Sequence, residues 1–544
     1  MIESTMQDFP LTITHLFRHG RRVHGRSKVL TYAPGGADGD FAEATFAEVG
    51  DRADQLAAAL QRLGVEPGDR VGTFMWNNQT HLEAYFAIPC MGAVLHTLNI
   101  RLFPEQLAYV INHADDRVII LDANLAPMLA AVRDQIPNVR HLIVIGDDPG
   151  GDATIEELLG ETLDYETLLA KESPGFVYPE IDERAAAAMC YTSGTTGNPK
   201  GVAYSHRSTY LHTIAGSSAQ AMPLNQYDRA LIIVPMFHAN AWGLPYVCWS
   251  VGADIVMPQQ YLQAAPLAEI IEATRPTFSG AVPTVLADVL HNRADADLSS
   301  LKWMICGGSA VPQSLMAGYD ATFGVPVVQA WGMTETSPMA AQARAPRWVD
   351  DPADQMVYRQ RTGRVMQGVE IRICNDAGEE QPWDGESTGE IEVRGPWITG
   401  SYYLDPSEEK FHDGWLRTGD VGSIDPDGFI QISDRAKDVI KSGGEWISSV
   451  DLENTLMGHP AVREAAVIGV PDDRWDERPL ACIVSGGDVS VDELRAYLIE
   501  NVAKWWVPER WTFIEEVPKT SVGKFDKKVL RARHAAGELQ IEQR

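Results

Sequence analysis

Residues 191–202, YTSGTTGNPKGV, gather four Ser/Thr hydroxyls, three glycines and one lysine into one short loop. An apolar run at 185–190 precedes it, and another at 202–204 follows. Apolar runs on either side of a Gly/Thr/Pro segment predict strand, turn, strand. Such a loop presents backbone N–H groups, hydroxyls and one cation to a polyanion, because glycine allows close approach and unusual dihedrals. It is not a Walker loop GxxxxGK[ST]: Gly194 and Lys200 are wrongly spaced, and Gly201 follows the lysine.

Through the first four hundred residues, apolar stretches alternate with amphipathic ones. Residues 51–63 have helical spacing and 70–76 read as a buried strand. Residues 87–95 and 117–122 continue the alternation, and 231–235 is another apolar strand. The pattern predicts α/β layers with mainly parallel sheets. Residues 390–394 and 429–433, separated by turn-rich segments, predict a small antiparallel or barrel-like portion. DPDG at 425–428 is a hairpin turn rather than a calcium loop, since its glycine comes too early and no glutamate closes it. HNRAD at 291–295 mimics an HxxxD pair but reads as a helix end. A fresh pattern starts after 434: Ser448 and Ser449 open a helix over 450–456, 462–470 and 481–485 are strands, and 491–501 is a helix. The expected fold is α/β. It has a large N-terminal domain of layered sheets plus the barrel-like portion over 1–434, and a small mobile α+β C-terminal domain over 435–544.

Hydrophobic residues make up 45% of the 544, enough for a sizeable core. Six cysteines, at 90, 190, 248, 306, 374 and 482, form no CxxC pair. That argues against a zinc or dithiol site and predicts reduced, buried thiols in a cytoplasmic protein. The N-terminus carries early acids and no secretory pattern, and no segment reaches the about 18 apolar residues of a spanning helix. A net charge of −30 argues against nucleic acid as a partner, because phosphate contacts need clustered Lys and Arg.

Four further strings follow the loop in order: QAWGMTETSP at 329–338, WLRTGD at 415–420, DRAKDVIKSGGEWIS at 434–448 and PKTSVGK at 518–524. Together the five resemble the motifs of the adenylate-forming superfamily, which includes acyl-CoA synthetases, aryl-CoA ligases, firefly luciferase and peptide-synthetase adenylation domains. The resemblance covers essentially the whole chain. It is strongest toward medium- and long-chain fatty acyl-CoA synthetases and methylmercaptopropionate-CoA ligases.

The resemblance implies a ligation in two halves. A carboxylate attacks the α-phosphate of ATP, giving an acyl-adenylate and pyrophosphate, and CoA then displaces AMP. One anion must attack another, so catalysis is positioning plus charge neutralisation. On the matching motif positions, Thr192, Ser193, Gly194, Thr195, Thr196, Gly197 and Lys200 are expected to hold the β- and γ-phosphates. Thr334 is expected at the α-phosphate, and Glu335, with Thr192, at Mg2+. Trp331 is expected to stack on adenine opposite Gly308, Ser309 and Ala310, with Gln329, Ala330, Gly332 and Met333 completing the nucleotide site. Asp420 would take the ribose hydroxyls, supported by Arg435, with Trp446 near the adenine. Lys524 is the expected catalytic cation, while Lys519 and the pair Lys527–Lys528 are expected as surface charges. Lys437 matches the pivot of a domain rotation, after which Lys441, Ser442, Gly443 and Gly444 would face CoA.

PMFHANAW at 235–242 matches the family's acid-pocket motif. His238 is expected beside the substrate carboxylate and Trp242 as a gate, with Gly307 also in the acid pocket. No acidic residue stands at 239–241 to bind an α-amine, so an amino acid is disfavoured. For Tyr246, Trp249, Val282, Met333 and Met339, an apolar tunnel lining and plain core packing are both open. The expected acid is a medium- or long-chain aliphatic one. An aryl, steroid-side-chain or terpenoid acid, loading of a carrier protein, and a degenerate acyl-adenylate binder are the alternatives. The partners are small molecules, and a homodimer is compatible with the resemblance.

Overall fold

The computed structural model describes residues 2–36, 39–192, 198–375, 377–405, 407–435, 438–442, 445–472, 474–520 and 524–544, without the side chains of Glu445 and Trp446. The chain forms two compact units. The first is Met1–Gly280 with Met333–Met339 and Gly395–Ser407; the second is Ala281–Gly332 with Ala340–Arg394 and Glu408–Arg544.

In the first unit a seven-stranded sheet runs Leu163–Asp164, His141–Ile145, Asp116–Asp122, Arg70–Phe74, Val94–Thr97, Ala186–Tyr191, Gly201–Ser205. All neighbours are parallel except the last pair. Its central strands are continuous apolar runs because helices cover both faces of a parallel sheet; Ile119, Ile120 and Leu121 are all sealed from solvent. Residues 87–95 resolve into the end of the helix Gln79–Cys90 and the start of the strand Val94–Thr97. A second sheet holds Phe278–Ala281, Arg229–Ile232, Asp254–Met257, Lys28–Gly36 and Gly39–Thr45. The strand expected at 231–235 is therefore Arg229–Ile232. The helix Phe46–Arg62 begins at a capping box in which Thr45 and Glu48 satisfy each other's backbone N–H.

The second unit holds Trp303–Gly307 and Val327–Gly332 as parallel strands. An antiparallel run continues through Gly363–Val365, Phe429–Arg435, Trp415–Ile424, Gly389–Arg394 and Glu370–Cys374. The turn at 425–428 joins two of these strands, with Gly428 at φ 81° and its N–H on Asp425 O. Residues after 438 build a separate six-stranded sheet. The helices Ser449–Met457 and Val491–Asn501 bury Leu452, Leu456, Leu494 and Leu498 around Trp511. Ser448 caps the first of these, as its sequence predicts. On the sheet's other face Leu530, from the helix Lys527–Ala535, packs with Val517 and Leu480. The compact unit containing this sheet spans 281–332, 340–394 and 408–544.

Lys519 pairs with Glu464 at the surface, as expected. Lys527 does not lie at the surface: it is buried against Glu453 at 2.8 Å. All six cysteines are buried free thiols. Among the described residues, no helix is long and apolar enough to cross a membrane.

Candidate active site

In the first unit, the strands flanking the hydroxyl-rich loop pair up to Tyr191 opposite Gly201, which anchors the loop at its root. Thr192 N–H donates to Lys200 O at 2.9 Å, and Lys200 N–H returns to Thr192 Oγ1 at 3.1 Å. The Lys200 ammonium sits 3.4 Å from Asp405, bonds the Ser407 hydroxyl and lies 4.9 Å from the centre of the Tyr402 ring. Ser407 donates to Asp405, and this bond, helped by Lys200, holds the Asp405 carboxyl below its usual range. Tyr402 O–H donates to Glu335 Oε1 at 2.6 Å, and Glu335 is only 6% exposed. One tyrosine thus fixes a buried carboxylate with its hydroxyl and faces a lysine with its ring. Beside Glu335, the Thr334 carbonyl accepts from Tyr204 O–H at 2.7 Å. Tyr402, Asp405 and Ser407 belong to none of the five motifs; the only signal for them is an aromatic pair running into an Asp-Pro-Ser turn.

The acid-pocket motif has an unusual backbone. Ala239 (φ 42°), Asn240 (52°), Ala241 (50°) and Trp242 (58°) are left-handed in succession, before Gly243 at 74°. For residues with a Cβ this costs about 1–2 kcal/mol each. Such strain survives only where the surroundings over-determine it, and it clusters at binding sites. Asn240 is held from inside, its Oδ1 accepting from the Cys190 thiol at 3.3 Å, while His238 and Trp242 are half-buried. Behind the turn lies a small cavity lined by Tyr204, Thr209, His212, Asn240, Tyr246 and Ser337. None of these side chains carries charge at neutral pH: burial pushes the only basic one, His212, down to about 4. Tyr246 therefore lines this cavity. Trp249 is core, stacked 4.3 Å from Phe46 with its N–H on Phe17 O. A larger cavity of about 500 Å³ in the same unit, between Arg70, Glu180 and Tyr403, touches none of the catalytic or binding residues expected from the sequence.

In the second unit, Trp331 Nε1–H donates to Asp420 Oδ2 at 2.8 Å, and Arg435 reaches Asp420 Oδ1 at 3.4 Å. Asp420 and Arg435 are direct partners across their two strands. The carboxylate thereby fixes the plane of the indole, a coupling no single motif discloses. The Gln329 side chain is engaged at both ends, accepting from Val311 N–H and donating to Arg361 O, and its backbone carbonyl accepts the Ala343 N–H at 2.8 Å. Ala330 and Gly332 are half-buried at the end of the same strand; Met333, which belongs to the first unit, is half-buried there. Gly308, at φ 90°, follows Gly307 and precedes Ser309 and Ala310. A Cβ on Gly308 would stand 3.7 Å from Lys524 Cε, so the lysine stem passes over this bare backbone. Lys524 is pinned at its root: its N–H donates to Thr520 Oγ1 and its carbonyl accepts from Thr520 N–H. Lys441 N–H bonds Glu477, and Ser442 Oγ accepts from Arg478. Ser193, Gly194, Thr195, Thr196, Gly197, Lys437, Gly443 and Gly444 lie outside the described residues, as does the side chain of Trp446.

Residues 17–403 match the family model of AMP-binding enzymes, and 451–524 match the AMP-binding enzyme C-terminal domain. The chain is 42% identical over 532 residues to 3-methylmercaptopropionyl-CoA ligase of Ruegeria lacuscaerulensis, covering 97% of this chain and 98% of that one. It is 42% identical over 542 residues to a long-chain-fatty-acid–CoA ligase of Thermus thermophilus, covering 98% and 97%. Among solved structures it resembles an anthranilate CoA ligase in complex with anthranoyl-AMP, with a TM-score of 0.87 at 26% identity, covering 98% of this chain and 100% of that one. The chain belongs to the AMP-binding enzyme family and is an acid–thiol ligase, joining a carboxylic acid to CoA through an acyl-adenylate.

Proposed function

We propose that the acid is an aliphatic one and that Trp242 gates its entry. The observation that carries this is the uncharged cavity behind the 238–243 turn, which offers no carboxylate to an α-amine and no cation to a second acid group. Two relatives whose names specify methylmercaptopropionate and long-chain fatty acids support an aliphatic chain.

In this reading Lys200 and the loop it closes take the β- and γ-phosphates, Thr334 takes the α-phosphate, and His238 stands by the acid carboxylate. Trp331 and Asp420 take adenine and ribose. Lys524 neutralises charge as carboxylate and phosphate close. Glu335 and Thr192 fit magnesium, which takes few protein carboxylates and keeps its waters. Glu335 is buried, one oxygen is oriented by Tyr402, and its remaining lone pairs can face an ion. Bound there, magnesium would spread the phosphate charge. Lys441 and Ser442 belong to the segment that meets CoA.

Two tests follow from named contacts. Trp242→Ala should shift the kcat/KM profile across a fatty-acid chain-length series toward bulkier acids, each methylene newly in contact being worth about 0.8 kcal/mol when fully buried. An unchanged profile would reduce Trp242 to packing, and a strict preference for benzoates or cinnamates would sink the aliphatic assignment. Asp405→Asn should free Lys200 for phosphate. The pair is part-exposed, so the gain is small: about two- to fivefold lower KM for ATP and correspondingly tighter inhibition by pyrophosphate. Unchanged constants for both would show that Asp405 does not compete with phosphate for the lysine.

A further inference from the structure

Three polar side chains turn toward the cavity behind the acid-pocket motif. Thr209 and His212 stand three residues apart on the helix His206–Gly216, hence on one face, and Asn240 comes from the left-handed turn. They are 9%, 3% and 4% exposed. His212 Nε2 accepts the Met339 N–H at 3.4 Å, so the neutral ring carries its proton on Nδ1. That Nδ1 lies 2.8 Å from where a Cβ on Gly243 would stand, so glycine at 243 is what leaves it open. The Asn240 oxygen is taken by the Cys190 thiol, which leaves its amide nitrogen as a donor. Among the described residues, the His212 Nδ1, the Thr209 hydroxyl and the Asn240 amide nitrogen have no hydrogen-bond partner.

The space between them is about 10 Å³, room for a single water-sized group. A water can pair these donors while the void is empty; a chain that fills it displaces that water, and a site built around donors disfavours ligands that cannot supply an acceptor. We infer that this cavity is an acceptor subsite for the substrate chain, and that the acid carries an oxygen (ether, carbonyl or hydroxyl) along its aliphatic chain, read chiefly by the His212 N–H with Thr209 and Asn240 beside it. The inference rests on the aliphatic-acid reading above and narrows it. A plain fatty acid would enter the same pocket and leave the three donors unpaired. A thioether would do better than a methylene and worse than an oxygen, because sulfur is the weaker acceptor.

The test uses sets of acids of equal length in which one chain methylene is replaced in turn by oxygen or by sulfur, position by position. CoA-dependent AMP release is measured at saturating ATP. At one chain position the oxa acid should exceed its methylene parent at least tenfold in kcat/KM, with the thia acid between them. Thr209→Val, nearly isosteric, should reduce that ratio. His212→Phe should abolish it, and His212→Gln, which restores an N–H, should recover part of it. A purely structural role for His212 would slow all acids alike and leave the ratio unmoved. Turnover of the acids with an oxygen-to-methylene ratio near one at every position overturns the inference and leaves the aliphatic reading standing. No CoA-dependent AMP release from any acid of the series sinks both.

Discussion

Lys524→Ala should lose acyl-adenylate formation by about 100- to 1000-fold while leaving thioester formation from preformed acyl-adenylate largely intact. The basis is local. Lys524 is tied at its root by two hydrogen bonds to Thr520, and its stem runs over Gly308, where no Cβ obstructs it. A pre-positioned point cation matters most where two anions must approach each other, and that happens only in the first half-reaction. ATP–pyrophosphate exchange reads that half alone, and AMP release from synthetic acyl-adenylate plus CoA reads the other. An equal fall in both would mean that Lys524 supports the fold or the adenylate in general rather than the attack on the α-phosphate.

What the sequence disclosed and what it hid divide along a physical line. Features set by neighbours in the chain were legible. The strands Ala186–Tyr191 and Gly201–Ser205, the turn at 425–428, the Ser448 cap and the C-terminal helices follow from local dihedral preference and periodicity. Features set by distant partners were not. Tyr402 and Asp405 acquire meaning only because residues 395–407 fold beside Glu335 and Lys200. The left-handed run at 239–242 contains no glycine, so nothing in its composition announces it. For Trp249 the sequence leaves pocket and core both open, because its neighbours Phe17 and Phe46 come from the far end of the chain. Lys527 looked like half of a solvated lysine pair, because the acids that bury it precede it by some seventy residues or more.

That buried lysine carries the largest expected effect on stability. Lys527 Nζ bonds Glu453 Oε1 at 2.8 Å and the Ser449 hydroxyl at 2.6 Å, while Ser449 gives both its N–H and its O–H to Asp434 Oδ2. Glu453 also accepts the Val467 N–H at 2.7 Å, and Asp438, paired with Arg531, acts on the same ammonium. Burial works against the ammonium, but Glu453, Asp434 and Asp438 outweigh it and raise its pKa. Burial pushes the Glu453 carboxyl up to about 7 even with the lysine opposing, and it raises Asp434 as well. Lys527→Met should then cost about 3–5 kcal/mol, the penalty for leaving buried charge without its partner. The pH dependence has a definite sign. A carboxyl whose folded pKa lies above its unfolded one binds more protons in the fold, so its share of stability is present at low pH and is lost as pH rises through the folded value. In the wild type Glu453 loses its share between about 4.5 and 7; without Lys527 the loss deepens and extends above 7. Urea midpoints of the full chain at pH 5.5 and pH 8 should therefore separate wild type from variant more at pH 8. Adding Glu453→Gln to Lys527→Met should recover a large part of the difference, since the amide keeps an acceptor for Val467 and has no charge to desolvate. Equal destabilisation at both pH values would place the lysine's contribution in packing of its stem, and no destabilisation would return it to the surface role its sequence suggested.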